Sequence, residues 1–242
     1  MTMEHSPFYL SKHTFICLAD NHYVFLDLRS DEYSCLDRTQ SDILKRLLNG
    51  HRIVDDHSSN IRLHETADSA SSAVVQTLLK KGLAVNRATD GKIPTLPFIA
   101  PPAASLMDVS DKPRPAINSG HVWHFFSAAA AASKNLRWGS IERTVRTVED
   151  RKSACGNVLE SCAITDLFEI FQTLRPYYPR PYLCLFDSLA LLHFLARYDV
   201  FPLWVYGVTL EPFNAHCWIQ AGDFVVNDTV DNVCNYTPIM SV

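Results

Sequence analysis

Cys184, His216 and Asp228 follow one another near the C-terminus, each in a context that suits thiol catalysis. Local patterning puts Cys184 at a helix start, His216 in a strand and Asp228 in the next strand. A thiolate at a helix N-terminus, an imidazole to take its proton and a carboxylate to orient that imidazole are the parts of a cysteine acyl-transfer enzyme. If the three side chains meet, the chain can cleave or remake amide bonds. If they do not, it is a binding protein with an incidental cysteine.

An ordinary cysteine titrates at about 8.5 and is mostly thiol at neutral pH. The unpaired N–H groups and partial positive charge of a helix start favour the thiolate, and the same groups can donate to an oxyanion. Pro181, three residues upstream, fits a helix start at Cys184. His216 and Asp228 are separated by twelve positions. A three-residue hairpin loop, Ala221-Gly222-Asp223, sets them face to face on one side of a sheet. A two-residue loop instead opposes His216 to Asn227 and puts Asp228 out of line. Gly222 suits the longer turn without deciding between them. Each residue also has a plain structural role open to it: a core thiol, a hydrogen-bonded histidine, a turn former in Asn227-Asp228-Thr229. Zinc held by the same three side chains is a weaker alternative.

The other thiols are poorer nucleophile candidates. Cys217 adjoins His216 but alternates to the opposite strand face, which reads as core. Cys155 and Cys162 have no following histidine in similar context until His193, a mid-helix residue that reads as structural. Cys234 has no nameable partner. The seven cysteines show no CxxC pair, so neither a disulfide framework nor a metal site is expected.

Three segments must position these groups. In residues 1–90, short extended runs at 14–19, 23–28 and 33–36 are separated by turn signals at Asp20-Asn21 and Asp31. Helical spacing follows at Ile43, Leu44, Leu47 and Leu48, with Gly50 as the stop. A second helix is read over 69–81, striped by Val74, Val75, Leu78 and Leu79 and closed by Gly82. The polar stretch 52–68 has room for a short helix. Residues 91–119 carry Pro94, Pro97, Pro101, Pro102, Pro113 and Pro115 and read as an extended linker. In residues 120–242, helices are read over 121–150 with a break at Gly139, over 164–174, and over 184–198 with Leu185, Leu189, Leu192 and Leu195 on one side. Strands follow at 203–210, 215–220 and 224–228. Helices followed by antiparallel strands make an α+β chain of two units.

Composition narrows the function classes. A net charge of −4 gives no general attraction to nucleic acid or anionic membrane. In the first unit Lys45, Arg46, Lys80 and Lys81 are outnumbered by acids, which disfavours a DNA-binding winged helix. No apolar run reaches membrane-spanning length, and residues 1–7 lack signal-peptide character, so a cytoplasmic location is expected. No GxxxxGK[ST] loop is present for ATP, and no cofactor is expected.

The second unit resembles the transglutaminase-like leader peptidase of lasso-peptide biosynthesis. The similarity rests on YLCLFDSLALLHFLA (182–196), VYGVTLEPFNAHCWI (205–219) and DFVVND (223–228). It covers roughly the last sixty residues. It implies a papain-like order of nucleophile, base and orienting acid on Cys184, His216 and Asp228. The family often has a basic residue where Phe186 or Asp187 stands, so substrate contacts there differ. The first unit resembles the PqqD-like element that binds leader peptides, through HYVFLDLRSDEYSCLD (22–37), SDILKRLLNG (41–50) and LLKKGLAV (78–85). In that family the leader adds as an edge strand beside the last helix. The resemblance thus implies contacts at Tyr33, Ser34, Cys35 and Leu36 and at Val74, Val75 and Leu78. It also implies a precursor peptide as substrate and a separate ATP-using, asparagine-synthetase-like cyclase as associate. A non-catalytic peptide-binding adaptor and an acyltransferase or transglutaminase are the competing readings.

Overall fold

A two-residue turn, a four-residue loop and short alternating strands build the first unit of this mixed α+β chain. The computed structural model describes residues 8–49, 69–108, 115–154 and 161–242; the stretch 52–68 lies outside them. The chain divides into two compact units, 1–97 and 98–242. In the first, β2 (Thr14–Ala19), β3 (His22–Asp27) and β4 (Glu32–Cys35) form an antiparallel sheet in the order β2-β3-β4. The β2–β3 turn consists of Asp20 and Asn21, both at positive φ (46° and 65°), as a primed two-residue hairpin turn requires. Alternation along the strands sends Ile16, Tyr23 and Phe25 into a core shared with Leu44 of α1 (Arg38–Asn49) and Val74 and Leu78 of α2 (Ser69–Lys80).

A second small sheet was not expected. β1 (Tyr9–Ser11) lies between β5 (Ala84–Val85) and β6 (Gly91–Lys92). Ser11 Oγ donates to the Gly82 carbonyl, tying the chain start to the end of α2.

The second unit begins within the proline-rich segment. The expected linker of 91–119 is therefore not all spacer. Its first two residues are β6, and β7 (Ala104–Ser105) pairs in parallel with β10 (Phe224–Val225). The helices are α3 (Ser119–Trp138), α4 (Ile141–Ala154), α5 (Ser161–Leu174) and α6 (Cys184–Leu195). Asn118 and His121 form a reciprocal cap on α3, and the helix stops at Gly139. In α6, Phe186 and every residue from Ser188 to Leu195 are buried, so the helix is enclosed all round rather than on one side. α3 and α5 cover it on one side and the sheet on another.

That sheet runs β11-β8-β9-β10-β7, with β8 (Leu203–Leu210), β9 (Phe213–Ala221) and β11 (Thr237–Ser241). A one-turn helix, α7 (Val230–Val233), capped by Thr229, joins β10 to β11. The β9–β10 hairpin differs from the three-residue loop that would oppose His216 to Asp228. Ala221 pairs with Phe224, leaving a two-residue turn with Gly222 at φ +57°. Carried on, this register would bring Thr229, not Asn227 or Asp228, opposite His216. The ladder stops first. Val226 N–H still bonds Ile219 O at 2.8 Å, but Ile219 N–H is then taken by the Asn227 side chain at 2.7 Å. The main chain peels away at Asn227, and Asp228 is a post-strand residue.

Candidate active site

Cys184 is the first residue of α6, and the helix geometry leaves the N–H groups of its first turn without intrahelical partners. The first intrahelical bond runs from Asp187 N–H to Leu183 O at 2.8 Å. His216 on β9 and Asp228 beyond β10 complete the group. His216 Nε2 lies 2.5 Å from Asp228 Oδ2, both side chains about one-sixth exposed (16 % and 15 %). The other ring nitrogen, Nδ1, is thereby left for the thiol. His216 is hydrogen-bonded to the Cys184 sulfur. The structure thus brings the three side chains together, although the hairpin register that was to oppose two of them is absent.

Asp228 reaches back because its own turn holds it. Its carboxylate accepts from Thr229 N–H (2.7 Å) and from Asn232 Nδ2 (3.0 Å to each oxygen). Its carbonyl accepts from Ser105 Oγ at 2.6 Å. Asn227 Nδ2 donates to Ser188 Oγ at 2.9 Å, pinning the peeled-away chain to α6. The His216 ring is flanked by Trp218 and Tyr236, with ring centroids at 6.0 and 5.1 Å.

The electrostatics follow from these contacts. A hydrogen bond from the Cys217 thiol, then one from His216, pulls the Cys184 thiol down to about 4 against the opposing effect of burial. Burial works against a charged His216, but its bonds to Asp228 and to the Cys184 sulfur outweigh this and lift it to about 9. Burial pushes Asp228 up, yet His216, Asn232 and the Thr229 N–H hold it below the usual carboxylate range. At neutral pH the resting pair is thiolate and imidazolium, the form that attacks a carbonyl without prior proton transfer.

Cys217 is core, as its strand face implies, at 2 % exposure. It is not remote from the chemistry, however. Its thiol and backbone N–H both bond the Cys184 sulfur, and its own pKa is raised by that bond and by burial. His193 is buried, bonded to Arg151 and Asn135, and held down to about 4 by burial and neighbouring guanidiniums. Cys234 is exposed. Cys155 and the Cys162 side chain lie outside the described residues. Among the described residues no cluster of three His, Cys, Asp or Glu side chains is arranged to hold a metal ion.

A cleft of about 470 Å³ is lined by Cys184, His216 and Cys217. Met107, Phe168, Phe171 and Tyr182 give it mostly apolar walls, while Arg175 and Asp187 form a polar corner. Sequence reasoning missed Ser105 and Met107, which sit in the proline-rich stretch, and Arg175, which falls just past the helix read over 164–174. Asp187 entered the sequence reading only as a position where the resembled family often has a basic residue.

The positions proposed for leader contact divide. Tyr33, Ser34 and Cys35 are on β4, an edge strand, and Cys35 is exposed. Leu36, Val74 and Leu78 are core residues at 4 %, 3 % and 0 % exposure, and Val75 is partly buried against the same cluster. Leu36, Val74 and Leu78 therefore offer no side chain to a ligand, because they close the first unit's own core.

Residues 127–241 match the Transglutaminase-like superfamily (Transglut_core3). No curated protein and no solved structure matches the chain.

Proposed function

Taking residues 127–241 as a transglutaminase-like domain, we propose that the chain is a cysteine peptidase. It removes the leader from a ribosomally made precursor peptide during lasso-peptide maturation. The observation that carries this reading is the meeting of Cys184, His216 and Asp228 beside an open cleft. The Cys184 thiolate attacks the carbonyl at the leader–core junction. In this reading the unpaired N–H groups at the α6 start donate to the resulting oxyanion. His216 gives its proton to the departing amine, which frees the core peptide and leaves the leader as a thioester. Water, deprotonated by His216, then attacks the thioester and returns the thiolate. Asp228 keeps the ring oriented throughout.

The similarity of 182–228 to the leader peptidases supports the substrate, and the edge strand β4 supports a leader-binding role for the first unit. A peptide held there raises the local concentration of its scissile bond at the cysteine. The free core amine would pass to an ATP-using, asparagine-synthetase-like cyclase, with which this chain would associate in the cytoplasm. The test is a search of the neighbouring reading frames for a short precursor and incubation of the full chain with that peptide. Wild type is expected to yield leader acid and free core by mass spectrometry. Cys184→Ala is expected to yield neither while binding the leader unchanged, and wild-type cleavage by that variant refutes the assignment. Capture of an added amine on the leader carboxyl would instead assign a transglutaminase-type acyl transfer.

A further inference from the structure

Arg175 is 3 % exposed, a depth at which a guanidinium must be fully partnered. It follows α5 and sits in the polar corner of the cleft. Its Nε donates to Asp187 Oδ1. Its Nη1 donates to Tyr178 O (3.2 Å), and its Nη2 to Arg180 O (3.1 Å) and Pro181 O (3.0 Å). The same group lies over the rings of Tyr182 (4.3 Å) and Phe186 (5.2 Å). One side chain therefore fixes the whole approach, 178–183, that delivers Cys184 to the head of α6.

Asp187 completes the device. While Arg175 holds one of its oxygens, the other accepts from Leu183 N–H at 2.7 Å. A carboxylate three residues after Cys184 also has a cost. A negative charge within one turn of the sulfur opposes the thiolate. The titratable or charged groups lining the cleft with Cys184 are His216 and Cys217 from β9, Tyr182 from the approach segment, Arg175 after α5 and Asp187 on α6 itself. Of these, Asp187 is the acid, and Arg175 is bonded directly to it.

We propose that Arg175 is a positioning residue for the Cys184 chemistry: it fixes the 178–183 approach and cancels the Asp187 charge that would otherwise oppose the thiolate. This rests on the thiol-enzyme reading but is tested without substrate. The pH midpoint of iodoacetamide alkylation is read at the Cys184 peptide by mass spectrometry in the full chain, with thermal melting as the check on folding. Arg175→Gln is expected to raise the midpoint by about one pH unit. Asp187→Asn alone is expected to lower it, because the acid's charge is removed while the Arg175 guanidinium stays in the same cleft. The double variant R175Q/D187N is expected to return near the wild-type midpoint. A purely structural role predicts no such opposite signs. A folded R175Q with an unmoved midpoint overturns the proposal, as does a D187N midpoint that stays or rises, a result available even if R175Q fails to fold. A wild-type Cys184 that alkylates like an ordinary thiol would instead defeat the catalytic reading itself, which separates the two failures.

Discussion

At the residue scale, the thiolate–imidazolium pair sets the pH range expected of the proposed activity. The Cys184 thiol at about 4 and His216 at about 9 bound the window in which sulfur is charged and ring protonated. A bell-shaped kcat/KM profile with limbs near those values is expected. Acid removes the thiolate, and base removes the proton needed by the leaving amine. Asp228 contributes to the upper limb, since its bond to His216 raises that group. In Asp228→Asn the charge is gone and the ring loses that support. The alkaline limb should move to lower pH and kcat should fall by about 10⁴-fold. A pH–rate series on both proteins checks this, and an unmoved alkaline limb would dissociate Asp228 from the base. The identity of the three residues was legible in order and context. Their supports were not: Asn232, Ser105 and the Cys217 N–H become partners only through the turn after β10 and through pairing across distant segments, which no local pattern encodes.

At the element scale, periodicity carried as far as elements were long enough to show it. The strands at Thr14–Ala19 and Leu203–Leu210 and the helices α3 and α5 stand where alternation or helical spacing put them. Strands β5, β6, β7 and β10 have two residues each, too few to display a period. β11 contains Pro238, which argues against a central strand, and it is indeed at the sheet edge, with a register shift between Pro238 and Met240. One position on β8 shows how closely this sheet is fitted to the base. Gly207 pairs with His216, and a Cβ there would fall 2.8 Å from Tyr236 Cβ and 2.9 Å from two Trp218 ring atoms. Those are the two rings that flank the imidazole. Gly207→Ala should therefore cost about 1–3 kcal/mol by overpacking and reduce kcat by displacing His216. Thermal melting and initial rates check both, and a variant with wild-type values would show that these rings tolerate movement.

At the scale of the whole molecule, the chain divides into two units, and the proposed function assigns the holding of a peptide to the first and its cutting to the second. The holding half can be probed by backbone chemistry alone, because its expected side-chain anchors Leu36, Val74 and Leu78 are in the core. Strand addition depends on outward N–H and C=O groups at the edge. Leu36 N–H bonds Tyr23 O at 2.9 Å, so the alternate residue Ser34 also points its N–H inward, while Tyr33 and Cys35 point theirs away from β3. Proline at Cys35 would delete one outward donor and leave the β3–β4 ladder intact. Cys35→Pro is therefore expected to weaken leader binding by about tenfold, the worth of one backbone hydrogen bond lost at an interface. Its melting temperature and Cys184 alkylation rate should remain those of wild type. Fluorescence anisotropy with a labelled leader, and Cys35→Ala as the control for the thiol, measure this. Undiminished affinity in the proline variant would remove the leader from this edge without touching the assignment of the cysteine.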